Sequence, residues 1–273
     1  MSPAPRKPRI RTYDPAKVRT ALRGELGALR GAVEELAGRP GAFAAPTRLG
    51  DWTVRELVVH LAAVLERLPG HLAAAGPAPD AAEPRVTLRD YVPRLRAAAA
   101  SVDEEAAAGA AGVQPREAAD RLAAATDRLL EAAATDPAVV IRSRFGPMTV
   151  GDFLVTRLLE AVVHADDLAA ATGLLITHDR QALAAVTRLL ADALAVKAPG
   201  GSVEVRIPPF AVVQCVEGPR HTRGTPPNVV ETDALTWIRL ATGRLAWDSA
   251  VEDALVTVGG ERADISHQLP LLA

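Results

Sequence analysis

Two residues one helical turn apart, Glu160 and His164, have the types and the spacing that can bind a metal ion. They lie in a segment of helical periodicity that runs from Thr149 to Gly173. Side chains at positions i and i+4 of an α-helix lie on the same face, so this carboxylate and this imidazole can bind one ion. A catalytic zinc ion usually has three protein ligands, so the third would have to come from another helix.

His60 is the strongest candidate for that third ligand. It is the only other histidine in the middle of a strongly patterned helix, which begins with Thr53 and Glu56 at capping-box spacing. The remaining histidines lie near a Pro-Gly break, at a helix start, in a loop and near the C-terminus: His71, His178, His221 and His267.

The same polar residues also have a simpler interpretation. They could form a solvated stripe of ion pairs at i+3 and i+4 spacing, namely Arg157, Glu160, His164 and Asp167. His60 could likewise be an ordinary hydrogen-bonded histidine at the edge of a core. However, residues 149–173 are apolar over most of the helix circumference, which is typical of a buried helix, and a buried polar stripe needs partners.

Hydrophobic periodicity predicts several further helices around this one. The predicted helical segments are 14–36, 51–68, 87–108, 115–134, 149–173 and 178–196. Pro93 should either kink the third of these or mark its start. After Lys197 the pattern changes to alternating or continuous apolar runs, which predicts strands at 203–207, 210–216 and 254–260 and a short helix at 233–242.

The predicted fold is therefore mainly α. We expect a disordered basic tail over residues 1–13, a helical domain over residues 14–196 and a small α+β domain over residues 197–273.

Composition excludes several classes of function. The 31 basic and 33 acidic residues are interleaved and the net charge is −2, so no basic field indicates nucleic-acid binding. The chain has no uninterrupted apolar run of about 20 residues and no secretory leader, which predicts a cytoplasmic protein without membrane insertion. Its single cysteine, Cys215, lies in the apolar run FAVVQCV and is interpreted as a packed structural thiol.

Two segments, WTVRELVVHL and RLLEAVVHADDL, resemble the metal-binding domain of mycothiol-dependent maleylpyruvate isomerases, a branch of the DinB-like four-helix-bundle superfamily. The family pattern is a tryptophan and a capped helix with one histidine, then R-x-x-E-x-x-x-H-x-x-D-L on a later helix. The matching residues are Trp52, His60, Arg157, Glu160, His164, Asp167 and Leu168. The resemblance covers about residues 14–196 and implies that His60, Glu160 and His164 bind a divalent metal, usually zinc. A set of two histidines and one carboxylate can equally bind Fe(II).

The C-terminal part resembles a small sterol-carrier-protein-like domain over about residues 200–273. The matching positions are Asp233, Trp237, the turn at 242–244, Trp247, Gly260 and Ala263. The two tryptophans are interpreted as core residues rather than ligand contacts. This resemblance provides the alternative function, a non-catalytic carrier or sensor that binds an apolar ligand in the C-terminal domain.

The first resemblance implies an isomerase or S-transferase that uses mycothiol as a thiol co-substrate and acts on a small electrophile, including dicarboxylates. Arg157 and Asp167 would orient the metal ligands or a charged substrate. For Asp167 a salt bridge at the helix end is the alternative. A dicarboxylate would need a cationic partner, for which the candidates are Arg89, Arg94, Arg239 and Arg244, with Arg244 preferred.

Overall fold

A computed structural model describes residues 11–74, 83–218 and 227–272. The described residues form two compact units, one within residues 13–182 and the other within residues 183–272 together with residues 11 and 12. The predicted tail lies almost entirely outside the described residues, and its limits and the predicted domain boundary at residue 197 stay predictions. His221 also lies outside the described residues.

The first unit is helical. Its helices are α1 (Pro15–Ala37), α2 (Val54–Ala73), α3 (Leu88–Ala97), α4 (Ala99–Ala110), α5 (Pro115–Ala132) and α6 (Val150–Thr172). Helices α1, α2, α5 and α6 pack on one another as a four-helix bundle, with α2 against α5 and α6, and α1 against the same two helices. The predicted mainly α fold is confirmed.

Local chemistry explains where the bundle helices begin and end. The Asp14 carboxylate accepts a hydrogen bond from the backbone N–H of Ala16 at 2.8 Å and begins α1. Thr53 and Glu56 form the predicted capping box of α2. Thr149 Oγ1 accepts from the backbone N–H of Asp152 at 3.1 Å and begins α6. Helix α6 ends at Gly173, whose φ of +69° is a left-handed conformation that favours glycine.

The region between α2 and α6 differs from the prediction in one place. The predicted single helix over residues 87–108 is two helices, and the break falls at Ala98 (φ −99°, ψ 0°) rather than at Pro93, which lies inside α3. A backbone near ψ 0° leaves the helical region and changes the direction of the axis. The apolar segment before α6 is an antiparallel hairpin of β1 (Val140–Ser143) and β2 (Gly146–Thr149).

The second unit contains a four-stranded sheet. Its strands are β3 (Val203–Ile207), β4 (Ala211–Cys215), β5 (Val229–Thr232) and β6 (Val256–Gly259), in the order β4-β3-β5-β6. Only the central pair, β3 and β5, is parallel. Helices α8 (Ala234–Ala241) and α9 (Trp247–Glu252) connect β5 to β6, and α7 (Arg180–Lys197) spans the division between the two units. The sequence did not predict β5 or α9, both of which are short.

Two side chains in this unit are buried as predicted. The Trp237 side chain is fully buried, as a core residue should be, whereas Trp247, also predicted as a core residue, is only partly buried. The Cys215 side chain points into the core, and burial raises the pKa of its thiol to about 11. Among the described residues, no helix has the length and apolar character needed to cross a membrane.

Candidate metal centre

Helix α6 carries its polar residues inside the bundle. Every side chain from Phe153 to Leu168 is buried, and six of them are polar or charged: Thr156, Arg157, Glu160, His164, Asp166 and Asp167. The interpretation of this stripe as solvated is therefore wrong. Burying so many polar groups costs free energy unless each of them has a partner, so their contacts define the site.

Three of the predicted residues meet between α2 and α6. The Glu160 Oε2 atom lies 3.3 Å from His164 Nε2 and 3.7 Å from His60 Nε2. The ligand atoms of all three residues lie within 4.8 Å of one another. In the part of the chain that the structure describes, this is the one group of three histidine, cysteine or acidic side chains with that geometry.

The spacing of these atoms fits a metal site. Zinc–ligand bonds of about 2.0–2.1 Å in a tetrahedral arrangement separate neighbouring ligand atoms by about 3.4 Å. The observed separations of 3.3 Å and 3.7 Å lie close to that value. Two imidazole nitrogens and one carboxylate oxygen also leave room in the coordination sphere for a further ligand, as catalytic sites require.

All three residues have shifted pKa values, and the shift of Glu160 suits a metal ligand. Burial raises the pKa of Glu160, but interactions with His164 and His60 more than offset that effect and hold the pKa well below its ordinary value. Burial lowers the pKa of His60, despite its contact with Glu160. Burial also lowers the pKa of His164, but the Asp167 and Glu160 carboxylates raise it above its ordinary value. Glu160 is therefore ionised, as a metal ligand must be.

Asp167 supports His164 directly. Its Oδ2 atom lies 2.9 Å from His164 Nδ1, and its side chain is completely buried. A carboxylate at Nδ1 favours the tautomer with the proton on that nitrogen, which leaves Nε2 available as a metal ligand. Asp167 Oδ1 also accepts a hydrogen bond from Arg48 Nε at 2.6 Å, so Asp167 contacts an arginine as well as His164, and its role towards a metal or substrate stays a prediction.

The Arg157 guanidinium is hydrogen-bonded to other groups of the helical unit. Its side chain is 1% exposed. It donates to the backbone carbonyl of Val64 at 2.9 Å, the hydroxyl of Tyr91 at 3.0 Å and the hydroxyl of Thr156 at 3.1 Å. Its Nη2 atom lies 3.9 Å from Glu160 Oε1, where the positive charge stabilises the ionised carboxylate.

The loop before α2 contributes an aromatic contact. The ring centroids of Trp52 and His60 are 5.1 Å apart, and those of His60 and His164 are also 5.1 Å apart. Trp52 is 7% exposed, and its buried Nε1 atom has no hydrogen-bond partner among the residues that the structure describes. The indole covers one side of His60 and restricts the positions that the imidazole can adopt.

The other predicted candidates lie elsewhere. The His71 ring packs edge-on against Phe153, and His178 Nδ1 lies 2.7 Å from the carboxylate of Glu25. His267 lies in a short 3₁₀ turn of the second unit. Arg244 also belongs to that unit, where it donates to the carbonyl of Thr242 at 2.6 Å, and its predicted contact with substrate stays a prediction.

Sequence reasoning missed three residues of the site. Arg48 lies in a loop without any periodic pattern, Tyr91 lies in a helix that was predicted with other limits, and the Val64 carbonyl is a backbone group. The only sequence signal for any of them was that Arg157, once recognised as buried, would require several acceptors.

Comparison with known proteins gives a consistent result. The family model described as "Mycothiol maleylpyruvate isomerase N-terminal domain" matches residues 22–169, which is more than half of the chain. The model described as "Bacterial SCP ortholog" matches residues 179–271. No curated protein sequence matches the chain.

Two solved structures are similar in fold. One is the crystal structure of a mycothiol-dependent maleylpyruvate isomerase, with a TM-score of 0.59, and the other is that of a histidine-to-alanine mutant of a protein with the same name, with a TM-score of 0.60. In both cases the identity is 17%, and the alignment covers 94% of this chain and 98% of the other. The likeness extends over both units of the chain and, at this identity, concerns the fold.

Proposed function

Because the chain belongs to the mycothiol maleylpyruvate isomerase family, we propose that it is a cytoplasmic, zinc-dependent enzyme that uses mycothiol as a thiol co-substrate. The proposed reaction is the isomerisation of a small electrophile with a cis double bond next to carbonyl groups, or the transfer of the thiol to such a molecule. Maleylpyruvate and related dicarboxylates are the substrates to examine first.

The observation that carries this proposal is the buried group of His60, Glu160 and His164. These side chains come from two helices, their ligand atoms lie within 4.8 Å of one another, and Asp167 orients one of them. When bound, a divalent metal lowers the pKa of a coordinated thiol so far that the thiolate is present at neutral pH.

The residues of this chain have separate proposed tasks. His60, Glu160 and His164 are the proposed metal ligands. Arg157 lies beside Glu160 and keeps it ionised, and Asp167 holds His164 in place, because each contacts a ligand and is itself almost completely buried. Arg244 is the proposed cation for a carboxylate of the substrate.

In the proposed isomerisation, the thiolate sulfur forms a bond to one carbon of the double bond, and the electron pair moves to the neighbouring carbonyl. The former double bond is then single and can rotate. The electron pair returns, the carbon–sulfur bond breaks, and the trans isomer and the thiolate are released. In the proposed transfer, the other carbon of the former double bond takes up a proton as the electron pair returns, and the carbon–sulfur bond remains.

Metal analysis of the purified protein is the first test. We expect about one equivalent of zinc per chain, close to none in His60→Ala and His164→Ala, and normal content in His71→Ala, whose ring lies against Phe153 instead. Native protein without any transition metal would refute the proposal.

The second test is the activity itself. We expect conversion of maleylpyruvate that requires added mycothiol and is lost after treatment with a chelator. If the zinc-containing protein converts neither maleylpyruvate nor other unsaturated dicarbonyl compounds in the presence of mycothiol, the proposed reaction is wrong even though the metal site exists.

A further inference from the structure

Arg48 joins two carboxylates beside the proposed metal centre. Its Nε atom donates to Asp167 Oδ1 at 2.6 Å, and its Nη2 atom donates to Asp166 Oδ2. The two aspartate side chains are 0% and 4% exposed, whereas that of Arg48 is 26% exposed. Two neighbouring carboxylates in a buried place repel each other, and a guanidinium that binds both offsets this repulsion.

The loop that carries Arg48 is held together by its own hydrogen bonds. The backbone N–H and the hydroxyl of Thr47 both donate to the carbonyl of Trp52 at 2.8 Å. The backbone N–H of Leu49 donates to Thr47 Oγ1 at 3.1 Å, and that of Trp52 donates to the carbonyl of Leu49, also at 3.1 Å. The guanidinium is therefore attached to a tight turn, and this turn also places Trp52 against His60.

Asp167 connects this turn to the other histidine. One of its oxygens accepts from Arg48 and the other lies 2.9 Å from His164 Nδ1. With both oxygens occupied, the carboxylate plane cannot rotate without breaking a charged hydrogen bond. The imidazole of His164 is consequently held with Nε2 at 3.3 Å from Glu160 Oε2, the position required of a ligand atom.

We propose that Arg48 is a positioning residue of the metal centre, which acts on His164 through Asp167 and sets the affinity for the metal. Arg48 contacts none of the three proposed ligands, and nothing in the sequence pattern around those ligands includes it. The proposal rests on the proposed metal site, and it assigns a function to the 45–53 loop as the element that supports both histidines.

The test is the zinc affinity of the full-length protein, measured by competition with a coloured chelator. We expect Arg48→Met to weaken zinc binding by about 10- to 100-fold, the usual effect of losing an outer partner of a metal ligand. Arg48→Lys should show a smaller loss, because an ammonium retains the charge but cannot bind both carboxylates as a planar fork. The matched control is Arg30→Met, which removes an exposed ion pair with Asp127 and should leave the affinity within twofold of wild type.

A double variant separates positioning from a general loss of structure. If Arg48 acts through Asp167, the Arg48→Met/Asp167→Asn protein should bind zinc no more than about threefold more weakly than Asp167→Asn alone. The visible absorption spectrum of the Co²⁺-substituted protein should change in Arg48→Met and stay unchanged in Arg30→Met, because only the former alters the orientation of a ligand. Thermal unfolding of the metal-free variants reports whether each of them folds.

The outcomes are distinct. If wild-type protein does not bind zinc, the proposed metal site is wrong and this inference is wrong with it. If wild type binds zinc and Arg48→Met binds it equally well with the same Co²⁺ spectrum, only the role of Arg48 is refuted. Should Arg48→Met fail to fold, Arg48→Lys decides, since unchanged zinc affinity in that variant refutes the role and a reduced affinity supports it.

Discussion

Replacing Arg157 by methionine tests whether the buried guanidinium is a structural part of the site. Methionine approximates the length of the side chain but has no donor, so it removes three hydrogen bonds that Arg157 donates, to the Val64 carbonyl, the Tyr91 hydroxyl and the Thr156 hydroxyl. It also removes the cation from the face of the Phe153 ring, 4.6 Å from the ring centroid, and from beside Glu160.

The expected cost is large. Each hydrogen bond from a charged group contributes about 1.5–3 kcal/mol, and removing one member of a buried charged pair costs about 3–5 kcal/mol. Because these contributions overlap, we expect the free energy of unfolding to fall by about 3–5 kcal/mol, a large share of the 5–15 kcal/mol that is typical of a folded domain. Arg157→Lys should recover only part of this loss, since one ammonium cannot reach three acceptors in different directions.

Urea unfolding of the metal-free protein, followed by circular dichroism, measures the change. The control is again Arg30→Met, where an exposed ion pair contributes about 1 kcal/mol or less. If Arg157→Met loses less than about 1 kcal/mol, the contacts of Arg157 do not stabilise the fold. In that case a direct role for Arg157 towards the substrate, as first considered from the sequence, becomes the better explanation of its burial.

Three further predictions follow from single contacts. Burial alone would raise the pKa of Glu56, but its hydrogen bonds with Thr53 lower that pKa by a larger amount, so the pKa lies below the ordinary 4.5. The capping box should therefore stabilise the protein above about pH 4.5 and lose this effect as the pH falls through the folded-state pKa. Urea unfolding between about pH 3 and 6 should show that dependence in wild type and less of it in Glu56→Gln. The Cys215 thiol has a pKa of about 11, so roughly one molecule in a thousand should carry the thiolate at pH 8. Its reaction with iodoacetamide, followed by mass spectrometry, should be at least about 100-fold slower in folded than in urea-unfolded protein. Equal rates would contradict its burial. Gly260→Ala should lower the free energy of unfolding by at least about 2 kcal/mol. The φ angle at Gly260 is +99°, and a new Cβ would lie 2.0 Å from the carbonyl oxygen of Pro227. The control is Gly259→Ala, because nothing lies within 4 Å of a new Cβ at that position.

The family and the general fold could be recognised from the sequence because both depend on local patterns. Capping residues such as Asp14, Thr53 and Thr149 act on the backbone N–H groups that follow them, so the starts of α1, α2 and α6 were predicted closely. The break at Ala98 was not predicted, because alanine is favourable inside a helix and carries no signal for a break. Strand β5 was not predicted because four residues are too few for a clear alternating pattern.

The sequence by itself determined which side chains of α6 share a face, since that follows from the helical repeat alone. It could not determine whether that face is solvated, nor which groups lie opposite it. The tertiary structure decided both, because Arg157 meets the Val64 carbonyl across 93 positions of the chain and Asp167 meets Arg48 across 119. Contacts at such distances along the chain depend on how helices and loops pack, and packing is a property of the whole bundle rather than of any segment.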